Sequence, residues 1–432
     1  MPNYENKIDI TAWTDNSEIR SVLSAITGDG KEARFIGGCV RDHILGERVS
    51  DLDIATLEPP NRIIELLNNA GIKAITTGIK YGTVTAITSN KIEITTLRRD
   101  IKTDGRYAVV EYTQDWEQDA ARRDFTINAL SVDLNGNIFD YFTGQQDLTS
   151  KVIKFIGLAQ NRINEDYLRI LRYFRLIATH GLSVGDDADL QACVKNIDKI
   201  LEISAERLRS ELFKILSSNM RNDIVSTMYQ EGILQVIIPD VTSPERLLKL
   251  VELESNLFLP KRVFPDPIRR LAALVETSSD AVVKITKILK LSKIEQKRLT
   301  NMKTRTSEIF WNMTNNELRQ VIYKRGNEEV IDIALLNWAS MATSKPNNLK
   351  DAEDGWLKII SYIQENCCQE LRLPIKGQDV IDLGILPGKK ISKLLYEVEK
   401  WWLNSGCLAN KKACIDKLKI LINHDQLGNL KK

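Results

Sequence analysis

The chain has 432 residues, 43% hydrophobic and 27% charged, which is ordinary for a globular protein large enough for two or more domains. Its formal net charge is +2, but residues 1–150 carry 16 basic and 23 acidic side chains, which leaves 44 and 35 for residues 151–432. The sequence lacks the run of about 20 apolar residues that a membrane helix needs, and its three histidines and six scattered cysteines argue against a zinc site and histidine-based nucleophilic catalysis.

The two parts of the chain favour different partners. An acidic first part concentrates metal ions, while a basic remainder suits a polyanion such as RNA. The first ten residues have neither the apolar core of a secretion signal nor the pattern of a transit peptide. We therefore expect a protein of the bacterial cytoplasm, or of the organellar matrix if the source is eukaryotic. We expect reduced cysteines, no membrane partner and no obligate protein partner.

Residues 1–150 mix short apolar runs with glycine turns, which predicts an α/β or α+β domain. The patterns predict strands at RFIGGCV, DLDIAT, YGTVTAIT, KIEITTL and ALSVDL, and a glycine-terminated helix at NRIIELLNNAG. Gly37 and Gly38 lie at a strand-to-helix turn, where backbone N–H groups without a neighbouring Cβ approach a phosphate closely. Arg41, just inside the helix, can pair with the same phosphate. A tight turn that simply needs glycine is the alternative.

Two carboxylates follow on the next strand. Asp51 and Asp53 alternate along SDLDIAT and project from one face, where they can share magnesium ions that bridge to nucleotide phosphates. Glu93, in the middle of KIEITTL, is the candidate third carboxylate, with a solvent-facing side chain as the alternative. A DxD pair alone also fits an exposed strand edge. Combined with the upstream Gly-Gly-x-x-Arg, it resembles the polymerase-β-like nucleotidyltransferases.

Charged residues also precede the last strand predicted in this part of the chain. In ARRDFTINAL, Arg122, Arg123 and Asp124 come before an apolar strand predicted to begin at Phe125. Arg123 beside the metal site can bind a triphosphate, and Asp124 can accept a hydrogen bond from a ribose hydroxyl and so select ribonucleotides. A structural Arg–Asp pair at this junction is the alternative.

From about residue 151, apolar residues recur every three or four positions, which predicts an irregular helical array. NEDYLRILRYFRL is predicted to be one continuous helix with an apolar side and a charged side. The charged side carries Asp166, Arg169, Arg172 and Arg175. A solvated face of an amphipathic helix is the alternative to a binding role for these residues.

Asp166 and Arg169 match the hydrogen-bonding edges of two bases. A carboxylate accepts from the exocyclic amino group that cytosine and adenine share, and an arginine donates to the neighbouring ring nitrogen or to the cytosine carbonyl. Guanine and uracil present a carbonyl and an N–H there, and each unpaired buried polar group costs about 1–3 kcal/mol. The pair therefore predicts a pocket that accepts C and A and rejects G and U.

Taken together, the motifs resemble the class II tRNA nucleotidyltransferases, the bacterial and eukaryotic CCA-adding enzymes. The matching segments are GGCVRD (37–42), DLDIAT (51–56), RRDFTINAL (122–130), EDYLRILRYFR (165–175) and ERLRSE (206–211). TLRRDIKTDGRYAVVEYTQDW looks like the flexible loop that such enzymes use to switch from C to A, which implies that role for Asp104, Gly105 and Arg106. The same segment looks closest to the α-proteobacterial and organellar branch.

The resemblance implies an α+β fold with four parts. A polymerase-β-like nucleotidyltransferase head, a mixed sheet with helices, would occupy residues 1–150 and carry catalysis. An all-helical remainder would follow, with a nucleotide-selecting neck at 151–235, a body at 236–340 and a tRNA-binding tail at 341–432.

The resemblance also implies roles for individual residues. Asp51 and Asp53 would hold two Mg²⁺ ions, and Glu93 would complete the catalytic group. The implied nucleotide-binding residues are Gly37, Gly38, Arg41, Arg123, Asp124, Asp166, Arg169, Arg172 and Arg175. Glu206, Arg207 and Glu211 would brace the neck helix, with Arg207 and Glu211 as an i,i+4 pair. In PGKKI, Lys389 and Lys390 would lie against an RNA phosphate, with a plain surface turn as the alternative.

The implied reaction adds C, C and A to the 3′ end of tRNA from CTP and ATP without a template and releases pyrophosphate. The tRNA would be held at its acceptor stem and elbow. Four alternatives stay open at the level of sequence: a bacterial poly(A) polymerase, a partial CC- or A-adding enzyme, a small-molecule nucleotidyltransferase, and a non-catalytic RNA-binding scaffold.

Overall fold

The structure, a computed structural model, describes residues 6–104, 107–220, 223–256, 258–276, 278–344, 349–366 and 371–429. The chain forms two compact units, Met1–Ile237 and Ile238–Lys432. The first contains a mixed sheet with helices and the second is helical, so the predicted fold class is confirmed. The finer division into head, neck, body and tail stays a prediction.

A mixed sheet forms the centre of the first unit. The strands of this unit are β1 (Ala33–Ile36), β2 (Asp53–Thr56), β3 (Lys73–Ile75), β4 (Thr83–Ile87), β5 (Lys91–Thr96), β6 (Arg98–Asp104), β7 (Tyr107–Tyr112), β8 (Ser131–Asp133), β9 (Ile138–Phe139), β10 (Val152–Ile153) and β11 (Ser183–Val184). Within the described residues, seven of them form one sheet in the order β3-β4-β5-β2-β1-β8-β9. In this sheet β2 and β5 are parallel and the other pairs are antiparallel. The first residues of β2 and β5 therefore meet at one edge.

Alternating apolar residues build this sheet, and helices cover it. In β4, Val84 and Ala86 are buried between half-buried neighbours, the period of two that a strand requires. The helices of this unit are α1 (Thr11–Thr14), α2 (Ser17–Thr27), α3 (Gly38–Ile44), α4 (Pro60–Asn69), α5 (Trp116–Ala121), α6 (Gly144–Thr149), α7 (Ala159–Glu165), α8 (Leu168–His180), α9 (Asp187–Lys195), α10 (Ala205–Ser217), α11 (Ile224–Gln230) and α12 (Ile233–Ile237). Asn16 begins α2 by accepting the backbone N–H groups of Glu18 and Ile19.

Helix α8 is amphipathic. On its apolar side the Tyr173 ring stacks on Phe155 with centroids 5.6 Å apart and also contacts Phe125. Burying each such ring contributes about 1.5–3 kcal/mol. Gly181, at φ 66, ends the helix in the left-handed conformation that favours glycine. With the apolar side held in this way, the other side of α8 carries Arg169, Arg172 and Arg175 toward the candidate site.

The continuous helix predicted over 165–175 is wrong. Asp166 has φ −160 and ψ 108, so α7 ends at Glu165 and α8 begins at Leu168. The Asp166 carboxylate accepts the backbone N–H of Leu168 at 3.1 Å, an alternative to helical hydrogen bonding that aspartate offers readily. Asp166 therefore lies before the helix, and only the three arginines share its face.

Two strand predictions in the first unit are also corrected. The strand expected at Phe125 is a 3-10 turn at Thr126–Asn128, and β8 begins only at Ser131. The Thr126 hydroxyl donates to Asp147 Oδ2 at 2.6 Å, which ties this turn to α6. Asp51 lies before β2, which begins at Asp53, so the two aspartates do not alternate along one strand.

Two further segments contain more strand than expected. The predicted flexible loop forms an antiparallel hairpin of β6 and β7. The remainder, predicted to be all-helical, includes the short parallel pair of β10 and β11. These strands are too short for the alternation of apolar and polar residues that identifies a strand in a sequence.

The second unit is built from helices. They are α13 (Glu245–Glu254), α14 (Pro267–Leu274), α15 (Ser279–Leu289), α16 (Lys293–Thr304), α17 (Asn315–Arg325), α18 (Asn327–Ser344), α19 (Leu349–Asn366), α20 (Gly377–Ile381), α21 (Lys389–Asn404) and α22 (Lys411–Asn429). Buried ion pairs of Arg269 with Glu254 and Asp332 join α13, α14 and α18. Trp402 is buried in a core formed by α20, α21 and α22, and half-buried Trp401 packs against it.

Two expectations from composition concern the whole chain. Within the described residues, Cys39, Cys193, Cys407 and Cys414 are buried free thiols, as expected, whereas residues 367–368 lie outside the described part. In the same described part, no helix combines the length and the apolar character needed to cross a membrane.

Candidate active site

Asp53 and Glu93 lie side by side because β2 and β5 run parallel and pair in register at these residues. Asp51 lies two residues earlier, and both it and Glu93 are exposed. Burial, with the nearby charges of Glu93 and Asp51, raises the pKa of the Asp53 carboxyl to about 6, and Arg123 opposes the shift. Three carboxylates so close together form a group that a bound cation would stabilise.

The glycine turn lies between β1 and α3, as predicted. Gly37 has φ 73, and a Cβ built there would lie 3.1 Å from Nη1 of Arg123. Any other residue would therefore be strained and would crowd that arginine. Arg41 on α3 is buried, donating to Asn128 Oδ1 at 2.6 Å and to Asp42 Oδ1 at 2.8 Å.

A cavity of about 550 Å³ opens beside this turn; we call it the arginine cavity. The arginines that line it are Arg41, Arg98, Arg122, Arg123, Arg169, Arg172, Arg175 and Arg207. The acidic residues that line it are Asp53, Asp124 and Asp166. Such an excess of guanidinium groups, each able to donate two parallel hydrogen bonds, suits a polyphosphate. All the residues predicted to bind nucleotide thus lie around one cavity, together with Asp53 but without Asp51 and Glu93.

Asp124 is a buried, ionised acceptor in the wall of this cavity. Arg172 donates to its Oδ2 at 2.6 Å, and Asn128 donates to its Oδ1 at 2.9 Å. Burial alone would raise the pKa of Asp124, but Arg172, Asn128 and Arg169 together lower that pKa to about 2. The carboxylate therefore stays charged at every physiological pH.

Asp166 and Arg169 line the cavity but do not pair with each other. Arg207 donates to Asp166 Oδ2 at 2.6 Å, while Arg169 pairs with Glu165 and donates to the carbonyl of Arg162 at 3.0 Å. The break at Asp166 explains this arrangement, because it turns the carboxylate toward α10 and away from the next helical turn. Asp166 and Arg169 are therefore held in the cavity wall by different neighbours, Asp166 by Arg207 and Arg169 by Glu165.

The predicted i,i+4 pair of Arg207 and Glu211 is wrong. Glu211, which is buried, lies 2.7 Å from Nε of Arg175 and 3.3 Å from Lys214, whereas Arg207 reaches Asp166. Helix α10 packs against α8 along this side, so Arg207 and Glu211 each pair with a residue outside α10, and Glu211 also contacts Lys214 within the helix. Burial lowers the pKa of the Arg175 guanidinium, and Glu211 opposes that effect.

The β6–β7 hairpin begins at the edge of the arginine cavity. Its register runs from Arg98 opposite Tyr112 to Asp104 opposite Tyr107. Asp104 is thus the last residue of β6, and nothing is described of its side chain. Gly105 and Arg106, also predicted to act in the switch from C to A, lie outside the described residues.

Asp119, which the sequence reasoning missed, ties the hairpin to the cavity. Its buried carboxylate accepts the backbone N–H of Arg98 at 3.2 Å, Nη2 of Arg122 at 2.8 Å and Nη2 of Arg123 at 3.1 Å. Arg122 in turn donates to the carbonyl of Arg98 at 3.1 Å. The sequence did contain a signal for this role. Asp119 lies three residues before Arg122 and four before Arg123, the spacing at which side chains on a helix meet.

The cavity residues Arg98 and Asn128 were also missed. Arg98 gave no sequence signal, because only the fold brings it beside Arg122; burial and Arg122 together lower its pKa to about 10. For Asn128 the sequence gave only a weak signal, which was its position within RRDFTIN. In the structure it accepts a hydrogen bond from Arg41 and donates one to Asp124.

A further group of polar side chains surrounds His180. His180 Nδ1 lies 2.7 Å from Glu47 Oε2, and Asp42 completes a group whose ligand atoms lie within 4.8 Å of one another. Burial and Arg41 lower the pKa of His180. Because Asp42 already pairs with Arg41, that guanidinium supplies the positive charge at this group.

Lys389 and Lys390 begin α21 directly after Gly388, the helix start predicted by PGKKI. Lys389 is exposed and Lys390 is half-buried. They belong to the second unit, and their predicted contact with RNA stays a prediction.

Two family models match the chain. The first, described as the poly A polymerase head domain, matches residues 33–154. The second, described as a probable RNA and SrmB-binding site of polymerase A, matches residues 187–243. The first match spans the glycine turn, the carboxylates and the hairpin.

Relatives and solved structures extend the similarity to almost the whole chain. The human mitochondrial CCA tRNA nucleotidyltransferase 1 is 34% identical, covering 93% of this chain and 89% of that protein. The CCA-adding enzyme of Lactobacillus johnsonii is 29% identical, covering 93% and 96%. The crystal structure of the Bacillus stearothermophilus CCA-adding enzyme in complex with CTP has a TM-score of 0.70 at 24% identity, covering 94% of this chain and 97% of that one. The Thermotoga maritima CCA-adding enzyme complexed with tRNA has a TM-score of 0.62 at 17% identity, covering 97% and 100%, and so has the same fold.

Proposed function

This chain belongs to the family of CCA-adding tRNA nucleotidyltransferases, and we propose which of its residues carry the reaction. It adds C, C and A to the 3′ end of tRNA from CTP and ATP. The observation that carries the residue assignment is the position of Asp53, paired in register with Glu93 and lining a cavity of eight arginines. Carboxylates for a cation and guanidinium groups for a triphosphate meet at that residue.

Asp51 and Asp53 hold Mg²⁺, with Glu93 beside them. The donor set fits this metal, because Mg²⁺ prefers carboxylate oxygens and because Asp53 pairs in register with Glu93, with Asp51 two residues away. When bound, the metal neutralises phosphate charge and lowers the pKa of a hydroxyl.

The triphosphate lies in the arginine cavity, against the backbone of Gly37 and Gly38. Arg41 and Arg123 flank that turn and supply charge-assisted hydrogen bonds. Asp124, kept ionised by Arg172, accepts a hydrogen bond from the ribose hydroxyl.

Asp166 accepts the amino group of cytosine or adenine, and Arg169 donates to the neighbouring ring nitrogen. The side-chain arrangement supports this assignment, since Arg207 donates to Asp166 and orients its carboxylate at the cavity wall. Guanine and uracil leave both groups mispaired, at about 1–3 kcal/mol for each unpaired group.

In the transfer step the 3′-hydroxyl oxygen of the tRNA forms a bond to the α-phosphorus. The bond from that phosphorus to the oxygen bridging it to the β-phosphorus breaks, and pyrophosphate leaves with the electron pair. The hydroxyl proton passes to the carboxylate of Asp51 or Asp53. The positions of the arginines favour the charge that develops on the leaving group.

The basic part of the chain, with 44 basic and 35 acidic residues over 151–432, holds the acceptor stem and elbow through phosphate contacts. Lys389 and Lys390 belong to this surface. The four-part division at 150, 235 and 340 assigns catalysis to the head, base selection to the neck and tRNA binding to the tail. The enzyme works in the bacterial cytoplasm, or in the organellar matrix if the source is eukaryotic.

The test is nucleotide incorporation into tRNA that lacks CCA, with each labelled nucleotide alone and together. Two C additions, then one A and a stop, are expected. An A tail of unlimited length on varied RNA would identify a poly(A) polymerase, and a stop after CC would identify a partial enzyme. Absence of any transfer, with RNA still bound, would identify a scaffold.

A further inference from the structure

His180 connects the end of α8 to the chain segment that follows the glycine turn. It is the last residue of α8 and is buried, and its Nδ1 lies 2.7 Å from Oε2 of Glu47, which comes shortly after α3. Its Nε2 lies 3.9 Å from Oδ1 of Asp42, within α3. The backbone N–H of Glu47 donates to the carbonyl of Asp42 at 2.8 Å, so the two acids are held together by their own backbone. The imidazole therefore contacts α3 and its continuation at two points.

The hydrogen bond with Glu47 determines which nitrogen of the neutral ring carries the proton. An ionised carboxylate only accepts hydrogen bonds, so Nδ1 is the donor and Nε2 has no proton. Burial and the charge of Arg41 lower the pKa of His180, which keeps the ring neutral near neutrality. Nε2 consequently has no hydrogen to donate to Asp42, and that carboxylate is left to pair with Arg41.

Arg41 is held on two sides. Asp42 Oδ1 accepts Nε at 2.8 Å and lies 2.7 Å from Nη2, while Asn128 Oδ1 accepts Nη1 at 2.6 Å. Nη2 also lies 3.6 Å from the position that a Cβ on Gly38 would occupy, so the guanidinium borders the glycine turn. A guanidinium fixed in this way loses little conformational freedom when a phosphate binds.

We propose that His180 is a positioning residue for nucleotide binding and orients Arg41 from the end of α8. It acts through the two acids that it contacts, Glu47 and Asp42. The inference rests on the proposed function, which assigns the triphosphate to Arg41 and the glycine turn. A histidine that only filled space in the core would need neither of its ring nitrogens.

The place of His180 on α8 explains why this contact matters for a triphosphate. Arg172 and Arg175 line the arginine cavity from α8, and Arg41 lines it from α3. The contact between His180 and Glu47 joins these two helices beyond the cavity, and so fixes the spacing of the two groups of arginines. A triphosphate that contacts both groups binds well only when that spacing is kept.

The test removes the ring nitrogens and then restores one donor. His180→Phe keeps an aromatic ring without nitrogens, whereas His180→Asn keeps an N–H donor close to the position of Nδ1. His180→Phe should raise the Kd of CTP, measured by equilibrium dialysis, on the order of tenfold, and should change kcat at saturating CTP by less than about threefold. His180→Asn should recover most of that loss. His43→Phe, the same change on α3 beside Trp13, is the matched control and should leave the Kd unchanged.

A double variant shows whether the effect passes through Arg41. Arg41→Lys should raise the Kd of CTP by itself, because lysine does not reproduce the paired hydrogen bonds of the guanidinium. Adding His180→Phe to it should raise the Kd by less than about a further twofold, since the group that His180 orients is gone. Two effects that multiply in full would show that His180 acts on the fold in general, and would overturn the inference.

Glu47→Ala tests the same contact from a half-buried position, and thermal unfolding of each variant shows whether the fold is retained. It should raise the Kd of CTP as His180→Phe does, and an unchanged Kd would contradict the positioning role even if His180→Phe did not fold. A wild-type protein that adds no C or A, or an Arg41→Lys variant with an unchanged Kd, would instead contradict the proposed function. The two failures are therefore distinguishable.

Discussion

Arg207 donates through Nη2 to Asp166 Oδ2 across 2.6 Å, from α10 to the break between α7 and α8. The other oxygen of the same carboxylate accepts the backbone N–H of Leu168 at 3.1 Å. Asp166 is thus oriented from two sides before any nucleotide binds. An oriented acceptor discriminates between bases better than a mobile one, because it cannot turn away from a mismatched partner.

Arg207→Ala should therefore weaken base selection. The expected effect is a fall of roughly tenfold in the preference for CTP over UTP, since one oriented polar contact is worth about 1–3 kcal/mol. The measurement is the ratio of kcat/KM for the two nucleotides. Arg209→Ala on the same helix, whose guanidinium lies over Phe213, is the control. An unchanged ratio in the Arg207 variant would show that Asp166 needs no support from α10.

Asp119→Asn should slow the addition of A more than the addition of C. The amide still accepts the N–H of Arg98, but it no longer carries the charge that holds Arg122 and Arg123. A loss on the order of tenfold in A addition is expected from one weakened charge-assisted contact. Incorporation of ATP into RNA ending in CC, compared with CTP into RNA ending before CCA, measures the difference.

The control for that experiment is Asp115→Asn. Asp115 caps α5 through the backbone N–H groups of Glu117 and Gln118, and asparagine caps helices equally well. If Asp119→Asn slows both additions to the same extent, then Asp119 supports the cavity and has no specific connection with the hairpin.

Asp53→Asn should abolish the transfer of both nucleotides and leave RNA binding intact. Removing a charged oxygen from the metal-binding group should lower kcat by at least about a thousandfold. Initial rates with CTP and ATP, together with equilibrium RNA binding, separate the two effects. Asp133→Asn, on β8 of the same sheet, should retain activity. Activity within about tenfold of wild type in the Asp53 variant would refute the metal assignment.

Lys303 should make the second unit more stable as the pH rises above neutrality. Its ammonium is buried and donates to the carbonyl of Val275, and burial together with Arg246 lowers its pKa to about 7. The unfolded chain, with the ordinary lysine pKa, binds more protons than the folded chain between about pH 7 and pH 10. The free energy of unfolding should thus increase there by up to about 1.4 kcal/mol per pH unit.

Urea unfolding across that pH window measures this slope. Lys303→Met should remove most of it, since the methionine has no proton to lose, whereas Lys287→Met at an exposed position should not. An equal slope in wild type and the Lys303 variant would show that other groups govern the pH dependence.

Local features of the site were predictable because short-range geometry determines them. Gly37 needs a positive φ, so a glycine between an apolar run and a helix indicated the turn. Arg169, Arg172 and Arg175 recur every three residues, which puts them on one side of α8. The wrong prediction of a continuous helix at Asp166 has an equally local cause. The spacing of apolar residues does not show that the Asp166 carboxylate accepts the backbone N–H of Leu168 and so interrupts the helix.

The sequence by itself determined the kinds of chemical group in this protein: paired aspartates, a glycine turn, and arginines at helical spacing. Only the tertiary structure decided which of them meet. Asp53 lies beside Glu93 because β2 and β5 pair in parallel across forty residues of chain, and Asp166 is held by Arg207 because α10 packs on α8. Contacts between such distant positions depend on how whole elements pack, and no local pattern of side chains encodes that packing.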